Sequence, residues 1–273
     1  MKIKANVYLF IFFSFLSIGS SNADILFKTR ENIARDVFKI NCFNKEKENI
    51  KIEYLCALKG IGEEETKSSF DTMKMLASKN ISDAKYSLYT TKDITGLDEK
   101  TALYYLEEAA KDGLPVAQLR MAEIYQLGEE NVHQDYKLAF FWLGKAASNG
   151  EYTAMRRIAK YYFTGTATNK DLKQGYYWIN KLYIDSGRNF DDWRLLGKIY
   201  EEGIGTEINL IKAYMCYDLE GTAGIEEKAR IAPKMTAEQR AEGLRLSREW
   251  QEKNHVYTMQ SLGLSRQKDG SYR

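Results

Sequence analysis

Four glycines recur at a fixed spacing of 37 residues, and this period constrains the fold more than any other feature of the chain. Each glycine follows an apolar stretch of helical character. A glycine directly after a helix supplies the left-handed backbone conformation that closes the last free carbonyl groups. The four are Gly113, Gly150, Gly187 and Gly224. Repetition at a period of this length is typical of stacked helix pairs.

The helix that ends at each of these glycines, called here the second helix of a repeat, also begins with a repeated pattern. An Asp or Asn, whose side-chain oxygen can accept a free backbone N–H, stands four residues before a small residue. A large residue follows three positions later. The cap residues are Asp98, Asp135, Asp171 and Asn209, and the small residues are Ala102, Ala139, Gly175 and Ala213. The large residues are Tyr105, Trp142 and Trp178, and Cys216 replaces the aromatic residue in the last repeat. A small residue at the contact predicts close packing on a neighbouring helix.

Another apolar helix, the first helix of the repeat, precedes each second helix. Apolar or small residues follow its starting position at offsets of four, five and eight, and a glycine ends it, which places these side chains on one helix face. The residues are Ala117, Met121, Ala122, Tyr125 and Gly128, then Ala154, Ile158, Ala159, Tyr162 and Gly165, and then Asp192, Leu196, Gly197, Tyr200 and Gly203. Each repeat is therefore predicted as helix, glycine-containing loop, helix and glycine turn.

Three segments resemble Sel1-like repeats, a family related to the tetratricopeptide repeat. They are 117–128 (AQLRMAEIYQLG), 135–150 (DYKLAFFWLGKAASNG) and 195–205 (LLGKIYEEGIG). The resemblance implies an all-α fold, a right-handed α-α superhelical solenoid of helix–turn–helix repeats with a C-terminal capping helix. It places the repeats at 83–113, 116–150, 153–187 and 191–224.

The segments around the repeats are also predicted to be mostly helical. Residues 24–82 are expected to form a helical region with a degenerate repeat, and residues 225–254 to form the cap. Thr236 and Gln239 have the spacing of a capping box, which predicts a helix start. The polar residues 255–273 predict a flexible tail. The cap helix is expected to bury a stripe of Ala237, Ala241, Leu244 and Trp250.

The first residues have the pattern of a secretory signal peptide. Lys2 and Lys4 precede an apolar run at 7–18, and small residues up to Ala23 predict cleavage there, so that residues 1–23 form the signal. The alternative is a membrane anchor, but the run is shorter than the roughly 20 residues that a spanning helix needs. We therefore expect an exported protein, periplasmic or secreted, with no membrane span in the mature chain.

The charge of the mature chain disfavours nucleic-acid binding. The formal net charge of +2 becomes 2 − 2 = 0 without the two signal-peptide lysines, because residues 1–23 contain no acid. A neutral chain lacks the basic field that attracts phosphate backbones.

The chain offers little material for catalysis or metal binding. Its two histidines, His133 and His255, lie in a loop and in the tail, and no nucleophile, P-loop or metal motif is present. We therefore predict no catalytic residue, no metal and no cofactor. An oxidising compartment would allow a disulfide, for which Cys42 and Cys56 are the expected pair, whereas Cys216 is expected to be buried.

A partner-binding surface is predicted on the first helices, which usually line the concave side of such solenoids. Side chains at offsets two, six and nine from the starting position are expected to face away from the packed stripe. They are Leu119, Glu123 and Gln126, then Arg156, Lys160 and Phe163, then Arg194, Lys198 and Glu201. The basic members and Phe163 suit an acidic protein segment. The alternative is an ordinary charged helix face. The predicted partner-binding residues are Glu123, Arg156, Lys160, Phe163, Arg194 and Lys198.

Paired aromatic residues leave a second question open. In each pair, one ring is expected in the core, and the other is either a second core contact or part of a binding surface. The pairs are Tyr104/Tyr105, Phe140/Phe141, Tyr161/Tyr162 and Tyr176/Tyr177.

The resemblance implies a non-enzymatic module that binds another protein. One specific form is a periplasmic immunity protein that neutralises a secreted toxin or effector. A second reading is an envelope component that contacts polysaccharide through its tyrosines. A β-lactam-binding or β-lactam-hydrolysing enzyme is disfavoured, because that branch of the family has cysteines in its repeats and the segment 100–203 has none.

Overall fold

The structure is a computed structural model, and it describes residues 50–61, 66–185, 193–258 and 262–263. The predicted signal peptide, Cys42, Gly187 and Asp192 lie outside the described residues, as does most of the predicted tail. The chain divides into two compact units, one ending at Ile158 and the other beginning at Ala159.

All regular elements of the described residues are helical, as predicted, and thirteen of them are α-helices. Those of the first unit are α1 (Ile50–Gly60), α2 (Thr66–Ser78), α3 (Ser82–Thr90), the short α4 (Lys92–Thr95), α5 (Glu99–Lys111), α6 (Pro115–Leu127) and α7 (Tyr136–Ser148). Helix α8 (Tyr152–Thr164) begins in the first unit and ends in the second.

The second unit continues the same alternation and ends in a cap. Its elements are α9 (Leu172–Asn180), which continues as a π-helical turn at Lys181–Asp185, then α10 (Trp193–Glu202), α11 (Leu210–Leu219), α12 (Ile225–Ile231) and α13 (Ala237–Asn254). Short 3₁₀ segments at Gly221–Gly224 and Ala232–Lys234 flank α12.

Consecutive helices pack as pairs. In the first unit α1 packs on α2, α3 on α5, and α6 on α7, while α2 and α5 each also contact the first helix of the next pair. In the second unit α10 packs on α11, and α11 packs on α13. This stacking of helix pairs is what the repeat period predicted.

The predicted caps of the second helices are confirmed. The Asp98 carboxylate accepts the N–H of Thr101 at 2.9 Å, and the Asp135 carboxylate accepts that of Lys137 at 2.8 Å. Asp171 and Asn209 cap α9 and α11 in the same way. Each cap satisfies a backbone donor that has no partner inside its helix.

Two of the three described glycine turns are confirmed, and Gly187 lies outside the described residues. Gly113 and Gly150 have φ values of 96° and 87°, in the left-handed region. Gly224 does not, because its φ is −92° and it lies in a 3₁₀ segment. It needs to be glycine for another reason: a Cβ there would lie 1.9 Å from the carbonyl oxygen of Tyr217. The left-handed residue after α11 is instead Gly221, with φ of 69°.

The small residues of the second helices lie at tight helix contacts. Ala102, Ala139 and Ala213 are completely buried. At Gly175, a Cβ would lie 2.4 Å from the ring of Phe163 on α8. Alanine at this position would require the Phe163 ring to move, and glycine allows the ring to lie directly against α9.

The buried side of the cap helix shares Trp250 with the predicted stripe and otherwise differs from it. The capping box of Thr236 and Gln239 is confirmed, but Ala237 and Ala241 are exposed. The buried residues of α13 are Gly243, Ser247, Trp250 and Gln251. The apolar pattern missed this side because Ser247 and Gln251 are polar residues that are buried with hydrogen-bond partners.

A hydrogen-bonded chain fixes the cap on the last repeat. Ser247 Oγ donates to the Asp218 carboxylate at 2.8 Å, and Lys228 Nζ donates to the same carboxylate at 2.6 Å. Gln251 Nε2 donates to Ser247 Oγ at 3.1 Å, and the N–H of Thr258 donates to Gln251 Oε1 at 2.9 Å. Helices α11, α12 and α13 and the first residues of the predicted tail are therefore held together by polar contacts.

Close packing at Gly197 gives a test of the fold. A Cβ at Gly197 would lie 2.5 Å from the Tyr217 ring, whose hydroxyl is anchored to Glu201 at 2.8 Å. We expect Gly197→Ala to lower the free energy of unfolding by about 1–2 kcal/mol, because overpacking outweighs the helix propensity gained. Urea denaturation measures the change.

Gly144→Ala is the matched control. A Cβ at Gly144 meets Ile158 Cδ1 at 3.6 Å, an ordinary van der Waals contact. This variant should be neutral or more stable by up to about 1 kcal/mol, because alanine is the better helix former. Equal effects of the two substitutions would contradict the packing described here.

Candidate interaction surface

A cluster of charged side chains joins the first helices of the first unit to a loop. This Arg120 cluster consists of Tyr89, Lys92, Arg120, Glu123, Glu129, Glu130 and Arg157. The Arg120 guanidinium lies 2.9 Å from Glu129, 3.6 Å from Glu123 and 3.6 Å from Glu130. Arg157 on α8 lies 3.0 Å from Glu123. Three cations and three carboxylates therefore neutralise one another.

Glu130 is the most enclosed carboxylate of the cluster. It accepts hydrogen bonds from Lys92 Nζ at 2.5 Å and from the Tyr89 hydroxyl at 3.1 Å. Burial opposes its ionisation, but these hydrogen bonds and the charge of Arg120 outweigh burial and lower the pKa of Glu130. Glu130 and Asn131 both adopt left-handed backbone conformations, with φ of 55° and 59°. The cluster thus holds a strained turn in one shape.

On α6, the structure places Glu123 in an ion-pair cluster and Leu119 in the core, although both were predicted to face outward. Glu123 belongs to the Arg120 cluster, where Arg120 and Arg157 share its carboxylate. The expectation that Leu119 faces away was wrong, since Leu119 is buried. Helix α6 packs against both α5 and α7 and carries apolar residues on more than one side, so a single buried stripe does not describe it.

Helix α8 shows a similar mixture. Arg156, in the first unit, and Lys160, in the second, are exposed, as predicted for offsets two and six. Phe163 is half-buried, and its ring lies against Gly175 of α9. The structure therefore gives Phe163 a packing role.

Both predicted basic residues of α10 are exposed and have intramolecular acidic neighbours. Arg194 is 51% exposed, and its Nε lies 3.3 Å from Glu220 Oε1. The other oxygen of Glu220 accepts the N–H of Trp193 at 2.5 Å, at the start of α10. Lys198 is 62% exposed and lies 3.7 Å from Glu202. The Lys198–Glu202 pair is exposed on both sides and contributes little to stability, whereas the Glu220 side chain beside Arg194 is only 4% exposed.

Glu201, expected to face outward at offset nine, is instead held inside a network. Both guanidinium nitrogens of Arg230 donate to its carboxylate, and the Tyr217 hydroxyl donates at 2.8 Å. The hydrogen bonds from Arg230 lower the pKa of Glu201, although burial opposes them. This network links α10 and α11 to α12.

The sequence left open whether the second aromatic ring of each pair is exposed. Tyr104, Phe141 and Tyr177 each stand two positions after the small residue of a second helix, and each is 50–57% exposed. In three of the four aromatic pairs, one ring is therefore on the surface. In the pair Tyr161/Tyr162, by contrast, neither ring is fully exposed. The three exposed rings share an offset of two from the small residue of a second helix, and this offset is the sequence signal that distinguishes exposed from buried rings.

The described residues offer no grouping for a metal. Within the described ranges, no three His, Cys, Asp or Glu side chains gather at one point. His133 and His255 are both exposed. No described helix has the length and apolar character needed to cross a membrane.

The cysteines differ in state. Cys56 is disulfide-bonded, and because Cys42 lies outside the described residues, the Cys42–Cys56 pairing stays a prediction. Cys216 is a free thiol and is buried, as predicted. Burial raises the pKa of Cys216 far above the ordinary thiol value, so this thiol is protonated and unreactive at neutral pH.

Comparison with known proteins agrees with the repeat geometry. Four segments of the chain, 91–114, 115–151, 153–183 and 194–219, match the family model described as Sel1 repeat. Together the four segments cover less than half of the chain. These matches support a place in the Sel1-like repeat family. Among curated proteins, none matches the chain significantly.

Two solved structures have the same fold as this chain. One is a protective antigen of uropathogenic Escherichia coli with an SLR fold, at 24% identity and a TM-score of 0.55; the match covers 77% of this chain and 47% of the antigen. The other is a Sel1 repeat protein from Oxalobacter formigenes, at 19% identity and a TM-score of 0.56, covering 70% of this chain and 57% of that protein. The chain thus spans about half the length of either, and the likeness confirms the α-solenoid fold.

The lowered pKa of Glu201 predicts how acid affects stability. Its stabilising contribution is fully present above the unfolded glutamate pKa of about 4.3 and is lost as the pH falls through the lower folded value. Arg230→Gln removes the main cause. We expect the variant to lose about 1 kcal/mol at neutral pH, since Arg230 is partly exposed and solvent screens the pair.

The pH profile separates this effect from general damage. Urea denaturation from neutral pH down to about pH 3 should show a shallower loss of stability for Arg230→Gln than for the wild type. Arg248→Gln, which removes an exposed arginine from α13, should follow the wild-type profile. Parallel profiles for all three proteins would refute the role given to Glu201.

Proposed function

We propose that the chain is an exported, non-enzymatic scaffold that binds another protein through the first helices of its Sel1 repeats. Proteins with this repeat generally mediate protein–protein interaction. The export part of the proposal depends on the N-terminal lysines and apolar run, and the binding part depends on the surface of α8 and α10.

The observation that carries the proposal is a set of exposed basic side chains at matching offsets. In the second unit, Lys160 on α8 and Lys198 on α10 both stand at offset six, and Arg194 stands at offset two. All three are exposed. In the first unit, Arg156 on α8 has the same offset as Arg194 and is also exposed.

The acidic neighbours of these residues do not prevent partner binding. An exposed ion pair such as Lys198–Glu202 contributes at most about 1 kcal/mol, so a carboxylate of a partner can replace Glu202. If Arg194 turned from Glu220 to a partner carboxylate, Glu220 would keep its position, because it also accepts the Trp193 N–H. The surface therefore suits an acidic protein segment.

The test begins with the full-length tagged chain expressed in its native cells. Crosslinking, affinity capture and mass spectrometry should yield one dominant protein in stoichiometric amount. The affinity of that protein for Arg194→Gln with Lys198→Gln should fall roughly tenfold or more, because two charge pairs are lost. Surface plasmon resonance measures the affinity, and thermal melting checks that the variant is folded.

The matched control removes the same charges elsewhere in the second unit. Arg248→Gln with Lys253→Gln takes one arginine and one lysine from exposed positions of α13. Its affinity should equal that of the wild type. If both double variants lose affinity equally, or if no stoichiometric protein is captured, the proposed function is wrong.

A further inference from the structure

The outward side of α7 combines lysines with exposed apolar side chains. Four of its exposed residues lie along one side of the helix, and we call this set the α7 outer stripe: Lys137, Leu138, Phe141 and Lys145. The opposite side is buried in the first unit and consists of Ala139, Leu143, Ala146 and Ala147. Lysines four residues before and four after Phe141 place a cation on either side of its ring along the helix.

The stripe has cations without matching acids. Helix α7 contains no Asp or Glu. Among the described residues, neither Lys137 nor Lys145 has a carboxylate within ion-pair distance, whereas Lys85 and Lys92 of the same unit do. Lys145 Nζ lies 5.6 Å from the centroid of the Phe141 ring instead. Both positive charges are therefore available to an anionic ligand.

The same pattern occurs independently in the second unit. Lys173 on α9 and the half-exposed Lys181, which begins the π-helical turn after α9, stand four residues before and after Tyr177, which is exposed. Lys181 Nζ lies 5.9 Å from the centroid of the Tyr177 ring, and Leu172–Asn180 contains no acid. Helix α5 differs, since Glu108 replaces the second lysine. Two of the second helices thus present lysine, aromatic residue and lysine at four-residue spacing.

We propose that the α7 outer stripe docks on the surface of a bilayer that contains anionic phospholipid. Lysine ammonium groups attract the phosphate headgroups, while Phe141 and Leu138 enter the headgroup region. Aromatic rings and snorkelling lysines favour this boundary, because each has an apolar body and the lysine keeps its charge in water. Protein interfaces, by contrast, are depleted in lysine and enriched in arginine, and the stripe has no arginine.

Vesicle sedimentation tests the proposal with the full-length chain. Phosphatidylcholine vesicles that contain phosphatidylglycerol should bind the protein, and vesicles of phosphatidylcholine alone should not. Lys137→Gln with Lys145→Gln should weaken binding by roughly 25-fold, since each lysine at an anionic surface contributes about fivefold. Phe141→Ser keeps the charges and should also weaken binding, because it removes the ring that enters the headgroups.

Lys67→Gln with Lys79→Gln is the matched control, since it removes two exposed lysines from the same unit outside the stripe. This variant should bind the anionic vesicles as the wild type does. Absence of wild-type binding, or equal loss in the stripe and control variants, would overturn the proposal. The proposal would also be overturned if Lys137→Gln with Lys145→Gln still bound the vesicles but no longer bound an acidic protein. The proposed scaffold function is tested separately, because vesicle binding involves neither Arg194 nor Lys198.

Discussion

The close approach of two helices at one small residue is the contact on which each repeat depends. Ala102, Ala139 and Ala213 are fully buried at this position, and Gly175 leaves no room even for a Cβ beside Phe163. Because the helices meet so closely there, the remaining sides of each helix pair are fixed relative to one another within the repeat. The exposed aromatic residues of the second helices and the exposed basic residues of the first helices therefore recur at constant offsets.

Much of this architecture could be predicted from the sequence, because it depends on local interactions. The Asp and Asn caps and most of the glycine turns involve neighbouring residues, and each leaves a signal of its own. Gly224 was assigned the wrong role because close approach to the Tyr217 carbonyl also demands glycine. The buried side of α13 was missed because Ser247 and Gln251 are polar, and their hydrogen-bond partners come from distant parts of the chain or from the helix itself.

The candidate surfaces were less predictable for a related reason. A periodic pattern shows which side of a helix is apolar, but it does not show which neighbours cover the other sides. Leu119 is buried because α6 lies between α5 and α7, and Glu201 is enclosed because Arg230 reaches it from α12. The exposure of Arg194 and Lys198 was predicted correctly, whereas the pairing of Arg194 with Glu220 depends on a contact 26 residues away (220 − 194).

The central functional claim is that the first-helix surface of the second unit contacts a protein partner directly. Site-specific photo-crosslinking in native cells tests this claim most directly. A benzophenone amino acid placed at Lys198 on α10 should give one discrete adduct, and the same group at Lys253 on α13 should give none. Adducts of equal intensity from both positions, or none from Lys198 while the protein is folded and exported, would contradict the account.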